Sequence, residues 1–552
     1  MRKFKLVLTA FLTVVSGNTI LAGGILTNTN QNIAFNRNMA RDGIIAIDGV
    51  YSNPAGVAFM PKGFHLSLNN QSAFQTRTIQ SGITIPGLEG TPYYQPFKMN
   101  GGNENGIKEF KGEAAAPILP SIQFAYVDEK WSFQAGFGLV GGGGKCTFNH
   151  GLGSFERTIS LLPAMLAKTQ QTYQQTYGVD LGLGTTTPGY SVESYIHGQQ
   201  YVFGMQVGGT YKLTDNLSVY GGFRFNYIYN KYKGNIKNIC VNINSENENL
   251  YNWMGNKANA LSEQAATYTA QAAAYTSQAA AYKAQADAIR ESDPTAAARL
   301  DAGAAQLTQG AAQYTQGAQL AAGGAQAMSA VQGQIADKYL DCTQTGWSID
   351  PIIGIDYKWD KLNIGARLEF TTHFNIQNDT KVDDTGLFAD GVNTPGDMPG
   401  LFTIGAQYEV LPKMRVMGGF HYFFDKNARM DKDKQKALSH NTMEWNAGVE
   451  YDLLKNVLVS AGWQRTNYGL GNGAFLNDMS FVTSSNSFGF GGAVRVAENV
   501  KVNVAYFWTK YSTFHKEYNQ TFAAAGQEIV AKCTDDFTRT NKVFGVGVDI
   551  DF

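Results

Sequence analysis

Residues 217–230 read Leu-Ser-Val-Tyr-Gly-Gly-Phe-Arg-Phe-Asn-Tyr-Ile-Tyr-Asn, and this stretch alternates between two kinds of side chain. One set of alternate residues is Leu, Val, Gly, Phe, Phe, Tyr and Tyr, and the other is Ser, Tyr, Gly, Arg, Asn, Ile and Asn. Because successive side chains of a β-strand point to opposite faces of the sheet, the pattern predicts a strand with lipid on one face and water on the other. A slip of one residue would move Arg224 into hydrocarbon, so the register is well specified.

The same two-residue period recurs through most of the chain, for example in residues 362–370, 445–451 and 544–552. Tight turns alternate with long connections between these segments, which is typical of outer-membrane barrels rather than of β-sandwiches. We predict strands near residues 62–75, 119–127, 131–140, 199–213, 216–232, 346–359, 361–377, 400–411, 413–425, 442–453, 455–467, 486–497, 499–513 and 541–552. The predicted fold is therefore all-β, a 14-stranded antiparallel transmembrane β-barrel that occupies residues 62–552.

The amino-acid composition agrees with one large β-structure. Only 16% of the 552 residues are charged, against roughly 25% in an average soluble protein. The 44 Lys and Arg residues nearly balance the 45 Asp and Glu residues, so no nucleic-acid partner is predicted. The 61 glycines and the 12% aromatic content suit one barrel better than several soluble domains.

The first 22 residues have the layout of a secretory signal peptide. Arg2 and Lys3 precede an apolar run from Leu6 to Val15, and the small residue Ala22 ends the segment. We predict that residues 1–22 are cleaved, and together with the barrel pattern this places a multi-pass protein in the bacterial outer membrane. A retained membrane anchor is the alternative, although the apolar run is shorter than the ~20 residues that a spanning helix needs.

Residues 23–61 do not alternate, and they contain the run Asp-Gly-Val-Tyr-Ser-Asn-Pro-Ala-Gly at residues 48–56. Behind a signal peptide and ahead of a fourteen-strand pattern, this run resembles the long-chain fatty-acid outer-membrane transporter family (FadL type), which includes channels for monoaromatic hydrocarbons. Asp-Met-Pro-Gly at residues 397–400, Asn-Ala-Gly-Val-Glu-Tyr at residues 446–451 and the C-terminal strands extend the resemblance over most of the chain.

The resemblance implies that residues 23–61 fold inside the barrel as a hatch. The hatch residues that match the family pattern are Asp48, Gly49, Asn53, Pro54 and Ala55. The family also has an inward kink in its third strand, which here is residues 131–140 with Gly136 and Gly138 on the lumen face. Interior glycine in a strand marks either such a bend, which would open a lateral window, or small residues that fill a narrow lumen.

The implied function is passive uptake of a hydrophobic small molecule, with a long-chain fatty acid as the favoured substrate and a monoaromatic hydrocarbon as an alternative. The substrate would be captured by loops, pass to a pocket beside the hatch and leave sideways through the wall into the outer-membrane lipids. Three arginines on the polar face, Arg224, Arg367 and Arg495, are candidate contacts for a substrate carboxylate, because guanidinium matches a carboxylate with two hydrogen bonds. Arg367 has a structural alternative, which is pairing with Glu369.

Residues 255–338 form an insertion with a period of seven residues. Glutamine recurs at 264, 271, 278 and 285, tyrosine at 268, 275 and 282, and glycine at 303, 310, 317 and 324. This period predicts an antiparallel helical hairpin that turns at residues 292–294, in an extracellular loop. The hairpin would contact an extracellular protein partner or shield the pore, or else be a flexible low-complexity insertion. A surface-display or adhesion protein anchored by the barrel is therefore the rival function.

Other chemical signals are weak. Cys240 and Cys342 bracket the insertion, and in an exported protein they either form a disulfide or remain free thiols. Residues 136–141 match the spacing GxGxxG, but further glycines follow where a helix should begin, which argues against a nucleotide site. The histidines and cysteines lack metal-ligand spacing, and no catalytic constellation is recognisable. We therefore predict a protein that is not an enzyme and uses no cofactor or metal.

Overall fold

The computed structural model describes residues 27–177, 180–183, 187–524 and 527–552, so the signal peptide predicted at residues 1–22 lies outside the described residues. Within these ranges, one closed antiparallel sheet dominates the chain. Its fourteen barrel strands are β1 Gly63–Thr84, β2 Ile107–Val127, β3 Trp131–Phe148, β4 Tyr190–Lys212, β5 Leu217–Ile243, β6 Lys338–Trp359, β7 Leu362–Glu369, β8 Leu401–Leu411, β9 Met414–Phe423, β10 Met443–Leu454, β11 Val457–Asn467, β12 Ser485–Ala497, β13 Val500–Tyr511 and β14 Gln527–Asp551.

The barrel is closed by its first and last strands. β1 pairs with β14 from His65 opposite Asp551 to Thr84 opposite Lys532, and each other barrel strand pairs with its sequence neighbours. Short strands at Glu246–Asn249, Asn375–Asp383, Asn393–Pro395 and Phe514–Ala524 extend the wall. The prediction of a 14-stranded antiparallel barrel is confirmed. Closure leaves no sheet edge in lipid, where an unpaired backbone group would be costly.

The two faces of the wall differ as the alternation predicts. On β5, Phe223, Phe225 and Tyr227 are 47%, 42% and 42% exposed on the outer face, whereas Arg224 and Asn226 between them are buried in the lumen. Large apolar side chains are exposed on the outside of strands around the barrel, which is the surface that a bilayer covers. Among the described residues, no helix is both long enough and apolar enough to span a membrane.

The two ends of the barrel are unlike. At one end, which we call the short-turn end, strands are joined by turns such as those at Asp360 and Lys413, whose φ angles are 47° and 77°. At the other, the loop end, long segments connect the strands, and several strands extend farther than the alternation indicates. β14 begins at Gln527 rather than near residue 541, and β5 ends at Ile243 rather than near residue 232. In these extensions one face packs into the apolar cluster of the loops, where Ile239 and Val241 of β5 and Ala531 and Cys533 of β14 are buried. The contrast between an apolar outer face and a polar inner face therefore does not continue into them.

The N-terminal segment, residues 27–62, lies inside the barrel, and its residues 31–44, 47–51 and 53–58 are buried. Its helix α1, Ile33–Arg37, is only five residues long and is capped by the Asn32 side chain, which accepts from the Ala34 N–H at 2.8 Å. Glycines of the barrel wall leave room for the backbone of the segment to lie close to the strands. A methyl group placed on Gly462 would lie 2.8 Å from Asn38 Cα, so the lumen wall lacks side chains where this backbone passes.

The insertion is an antiparallel helical hairpin of α4, Leu250–Ile289, and α5, Pro294–Gln334, and this part of the predicted fold is confirmed. Tyrosines of α4 pack over glycines of α5: a methyl group on Gly310 would lie 3.0 Å from the Tyr275 ring. Buried alanines such as Ala279 and Ala304 lie between these layers. The base of the hairpin packs with the loop helices α2, Gly153–Ser160, and α3, Leu162–Tyr177, in one apolar cluster.

Candidate functional site

The barrel wall has a gap between β2 and β3. The two strands pair from Val127 opposite Ser132 to Ile122 opposite Phe137, and pairing resumes only at Glu113 opposite Thr147. Between these points, residues 114–121 of β2 and residues 138–146 of β3 share no ladder pair. We call these two stretches the lips of the gap.

The sequences of the lips explain why the ladder fails. The β2 lip reads Ala-Ala-Ala-Pro-Ile-Leu-Pro-Ser, and its two prolines have no N–H to donate. The β3 lip holds the run Gly141–Gly144, in which Gly142 and Gly144 have φ angles of 98° and 69°. β3 stays paired with β4 through two register shifts, one between Leu139 and Gly141 and one between Gly141 and Gly144. β3 therefore bends away from β2 while it remains part of the wall.

The N-terminal segment occupies the place that the β2 ladder leaves. The Asn28 N–H donates to the Val140 carbonyl at 2.9 Å, and the Gln31 side-chain amide donates to the Leu139 carbonyl at 2.8 Å. The Gln31 carbonyl in turn accepts from the side chains of Ser121 and Gln123 on β2, at 2.6 and 2.7 Å. Gln31 thus connects both strands beside the gap, and backbone groups that the break would otherwise orphan are satisfied.

A cavity of about 200 Å³ lies between this segment and the lips. It is bounded by Thr27–Gln31, Ala114–Ala116, Leu119–Ser121, Gly142–Lys145 and residues of the facing lumen wall. A second cavity of about 100 Å³ shares Thr27 and Gly142 with the first, and a third of about 20 Å³ shares Gly144 with it. The three cavities therefore surround the glycine run of β3. At the outer side of the gap, Ile118 is 73% exposed toward the lipid.

Gly136 and Gly138, the glycines selected from the sequence, lie next to the gap and face the N-terminal segment. A methyl group on Gly136 would lie 3.2 Å from Val50 Cγ1, and one on Gly138 would clash with the Gln31 side chain. Both residues therefore provide room for the segment, and the paired part of the strand ends at Phe137, between them. The bend itself is made by Gly141–Gly144, which sequence reasoning considered only as a false nucleotide motif.

The family-pattern residues of the N-terminal segment anchor it to the wall. Asp48 accepts two hydrogen bonds from Arg41, at 2.7 and 2.8 Å, and its charge helps to hold the Arg41 pKa above its ordinary value despite burial. Asn53 donates to Asp356 Oδ2 at 2.6 Å. The Pro54 carbonyl accepts from Gln134 at 2.8 Å, and the Ala55 carbonyl accepts from Ser218 at 2.7 Å.

Gly49 provides close packing within the segment, since a methyl group on it would lie 3.3 Å from Val57 Cγ2. Neither Gly49 nor the other four family-pattern residues line the three cavities described here. Their contacts hold the segment in place at a distance from the gap.

Arg224 and Arg367 are paired inside the barrel. Arg224 donates to both carboxylate oxygens of Glu369, at 2.7 and 3.0 Å, and Arg367 lies 3.2 Å from the same carboxylate. Tyr51 of the N-terminal segment stacks over both guanidinium groups, at 5.0 and 4.7 Å from its ring centroid. Burial raises the pKa of Tyr51 to about 12. This cluster holds the segment and leaves neither arginine at the described cavities.

Arg495, the third candidate carboxylate contact, is exposed at the short-turn end. Its guanidinium donates to the Glu498 carbonyl at 2.7 Å, within the turn between β12 and β13. The structure therefore brings together two of the three selected arginines, around Glu369, and separates the third from them.

A second ion cluster, which the sequence analysis missed, connects the N-terminal segment to β9 and β10. Glu450 accepts from Arg37 at 2.7 Å and from Arg41 at 2.9 Å. His421 lies between Asp42 and Glu444, at 2.9 Å from each carboxylate. The polar positions of the strand alternation point to His421 and Glu450 as lumen residues, but not to their partners.

Cys240 and Cys342 are not brought together. Cys342 lies opposite Tyr232 in the β5–β6 ladder, whereas Cys240 lies farther along β5, opposite Asn249. The eight residues from 232 to 240 span ~26 Å at the rise of an extended strand, far beyond disulfide reach. All four cysteines belong to the described residues, and all are free thiols. Over the same described ranges, no group of three or more His, Cys, Asp or Glu side chains is placed to hold a metal ion.

Comparison with known proteins supports the fold. No protein-family model and no curated protein matches the sequence. Among solved structures, a Pseudomonas aeruginosa FadL homologue matches with a TM-score of 0.55 at 10% identity, over 97% of this chain and 100% of that one. The chain has the FadL fold. The P. putida toluene transporter TodX also matches, with a TM-score of 0.44 at 11% identity, over 92% of this chain and 94% of TodX. The resemblance inferred from the sequence is confirmed for the FadL fold.

Proposed function

We propose that this protein is an outer-membrane channel for passive uptake of hydrophobic small molecules, which leave sideways through the gap between β2 and β3. The observation that carries the proposal is the cavity that joins the N-terminal segment to both lips of that gap. The direct route along the barrel axis is occupied, because residues 31–44 of the segment are buried and the segment is bound to the wall at two ion clusters, through Arg37 and Arg41 at one and through Tyr51 at the other. A molecule in the cavity thus has its nearest outlet in the wall.

Transfer into lipid supplies the driving force for such an exit. Each methylene group that leaves water for hydrocarbon gains ~0.8 kcal/mol, and apolar surface gains ~25 cal/mol per Å². The cavity is lined largely by amide and hydroxyl groups, for example those of Gln71, Gln464 and Ser487, so it holds an apolar chain less well than the bilayer does. Exit down this gradient needs no nucleotide or ion cofactor.

We assign the N-terminal segment the role of a hatch, which blocks the barrel axis and shapes the cavity. Its connection to both lips through Gln31 supports this role, because movement of the segment would change the width of the gap. Removal of residues 1–22 as a signal peptide, with the loop end facing the outside, completes the proposal.

The favoured substrate is a long-chain fatty acid, and a monoaromatic hydrocarbon is the alternative. Both follow from the family that the sequence resembles. Competition decides between them: excess oleate should reduce toluene uptake strongly if the acid is the preferred substrate, whereas excess toluene should leave oleate uptake nearly unchanged.

A steric block tests the proposed exit. Ala116 lines the cavity at the β2 lip, so Ala116→Trp should fill the outlet and lower uptake of labelled oleate at least tenfold. Gly221→Trp is the matched control, because this glycine has open space around it on the lipid side of β5. Unchanged uptake by a folded Ala116→Trp protein would exclude the gap as the exit.

A further inference from the structure

Four basic side chains form a patch on the outer face of β3, β4 and β5, toward the loop end. Lys145 of β3 lies opposite Gln199 of β4, which in turn lies opposite Lys231 of β5. Two residues farther along these strands, His197 lies opposite Lys233. Lys145 and Lys231 both act electrostatically on His197, so the three groups are close neighbours. We call Lys145, His197, Lys231 and Lys233 the basic patch.

The basic patch begins directly above aromatic side chains of the outer face. Tyr201 and Tyr229 lie opposite each other, and Tyr229 is two residues nearer the short-turn end than Lys231. Still nearer that end, Phe225 stacks with Trp347, which is 64% exposed. Tyrosine and tryptophan on the outside of a barrel mark the level of the lipid headgroups. The basic patch therefore lies where lipid phosphate groups are found.

The positive charge of Lys145 and Lys231 is not neutralised by the protein. Lys145 is exposed and Lys231 is partly exposed. The acidic side chains nearby pair with other lysines, which are Asp341 with Lys233 at 4.0 Å, Glu193 with Lys237 at 3.0 Å and Glu113 with Lys111 at 3.1 Å. Within the described ranges, no carboxylate forms an ion pair with Lys145 or Lys231. Both ammonium groups can therefore bind an anion from outside the chain.

The short-turn end of the barrel has a different arrangement of charge. Cations there pair with carboxylates, for example Lys62 with Glu129 at 2.6 Å, Arg415 with Asp452 at 2.7 Å and Lys501 with Asp549 at 3.0 Å. Such pairs leave little net charge for an external anion. The concentration of unpaired positive charge in the basic patch is thus a local feature of β3 to β5.

The basic patch also adjoins the gap in the wall. Lys145 belongs to the β3 lip, where β2 offers no ladder partner, and it borders the cavity of about 200 Å³. The backbones of β3 and β5 are ~10 Å apart across β4, a distance over which two long lysine side chains can reach one phosphate. A phosphate held by Lys145 and Lys231 would connect the β3 lip to β5.

We propose that the basic patch binds the phosphate of an anionic lipid in the outer leaflet and holds that lipid beside the gap. The proposal rests on the orientation given with the proposed function, in which the loop end faces the outside. Clusters of basic residues at headgroup level recognise anionic lipids, because charge-assisted hydrogen bonds to phosphate are stronger than neutral ones. The bound headgroup stabilises the β3 lip at the point where β2 does not support it.

Binding of diphosphoryl lipid A, a phosphate-bearing glycolipid, tests the proposal on the purified full-length protein in phosphatidylcholine nanodiscs. The double variant Lys145→Gln/Lys231→Gln should weaken the affinity, measured by titration in native mass spectrometry, about tenfold, equivalent to ~1.4 kcal/mol. Lys145→Arg/Lys231→Arg keeps both charges and should keep most of the affinity. Lys361→Gln/Lys455→Gln removes two exposed charges at the short-turn end, and this matched control should change the affinity less than twofold.

Two further ligands show whether the phosphate must belong to a lipid. Lipid A without its phosphates should bind the unmodified protein at least tenfold more weakly than the diphosphoryl form. Millimolar inorganic phosphate should change the affinity for diphosphoryl lipid A less than twofold, because the bilayer concentrates the lipid at the patch. Strong displacement by inorganic phosphate would mean a site for the free anion and would overturn the proposal.

Equal lipid A affinity in Lys145→Gln/Lys231→Gln and the unmodified protein would overturn the proposal, as would an equal loss in the short-turn control. Trypsin added to intact cells should cleave the tip of the hairpin. A protected tip would place the basic patch in the inner leaflet, and this too would overturn the proposal.

Lipid binding and transport can fail separately. Binding in nanodiscs does not require uptake, so an unmodified protein that binds lipid A but transports no hydrophobic molecule would remove only the proposed function. An unmodified protein that does not bind lipid A, but whose uptake is still blocked by Ala116→Trp, would remove only the basic patch as a lipid site.

Discussion

At the scale of single residues, Glu369 pairs with two buried arginines and is itself almost inaccessible to water. Glu369→Gln would remove the one carboxylate that pairs directly with both Arg224 and Arg367 beneath Tyr51. Breaking a buried ion pair by removing one partner costs about 3–5 kcal/mol, so we expect the free energy of unfolding to fall by this amount. Urea unfolding from lipid vesicles measures it.

Asp301→Asn is the control for this experiment. Asp301 pairs with Arg290 at 2.9 Å on the exposed tip of the hairpin, where water screens the two charges and the pair contributes little to stability. Similar small losses in both variants would show that the Glu369 cluster does not stabilise the barrel.

Asp425 should make its loop sensitive to pH. It is buried in the loop between β9 and β10, where it accepts from the Thr442 N–H at 2.8 Å, and burial raises its pKa from 3.8 to about 6. Between these values the folded loop holds a proton that the unfolded loop has lost. Stability therefore falls as the pH rises from about 4 to about 6, by up to ~3 kcal/mol, and is level above that range.

Hydrogen exchange at the Thr442 amide measures this effect, through protection factors corrected for intrinsic exchange. Protection should decrease from pH 4 to pH 6 in the unmodified protein and stay constant in Asp425→Asn, which cannot ionise. Parallel profiles in the two proteins would contradict the assignment.

Residue-level prediction from the sequence was accurate about faces, but it named only one partner, Glu369 for Arg367. The two-residue period places Arg224 and Arg367 in the lumen, and the structure finds both there. Their role depends on Glu369 and on Tyr51, which belongs to a segment without any period.

At the scale of secondary-structure elements, the bend in β3 depends on Gly142. Its φ angle is 98°, and a methyl group there would overlap the Gln200 backbone. Gly142→Val should therefore disturb the bend and lower uptake several-fold. Gly144→Asn is the control, since Gly144 has a φ angle of 69° but open space around it, and asparagine tolerates this conformation. Equal uptake in the two variants would mean that the bend is not required.

Deletion of most of the hairpin α4–α5 distinguishes the transport function from the rival display function. Each helix extends ~60 Å at 1.5 Å per residue, well beyond the barrel. Deleting residues 262–323 removes the distal layers and keeps the base, where Met254 and Met328 pack with the loops. We expect the barrel to fold and oleate uptake to continue. Loss of uptake with an intact barrel would favour capture or adhesion by the hairpin.

Element boundaries could be predicted where the solvent contrast is sharp. At the short-turn end the predicted and observed strand limits agree closely. There one face of each strand meets lipid and the other meets water, so the side chains alternate clearly between apolar and polar. At the loop end residues 107–118 were left in a connection, although they form half of β2. Two prolines and a run of alanines interrupt the alternation in this strand, so the sequence pattern did not predict it. The same residues form the β2 lip of the gap. The feature most important for function was thus the one that breaks the strand pattern.

At the scale of the whole molecule, the N-terminal segment occupies the lumen of the barrel, and the wall has a gap between β2 and β3. The N-terminal segment fills the lumen of the barrel. Both ion clusters bind it to the wall, and the wall glycines let its backbone lie close to the strands. The only large interruption in the β2–β3 ladder faces lipid, beside the largest of the three cavities described here. The central claim is therefore that substrates leave through this gap into the bilayer.

Photolabelling in intact outer membranes tests that claim most directly. A long-chain fatty acid with a diazirine near its methyl end is added to cells that produce the protein, and labelled peptides are mapped by mass spectrometry. We predict labels in residues 114–121 and 138–146, with loss of these labels in Ala116→Trp. Labels confined to residues 48–61 and the short-turn end, with none at either lip, would show that the substrate crosses along the barrel axis and would contradict lateral release.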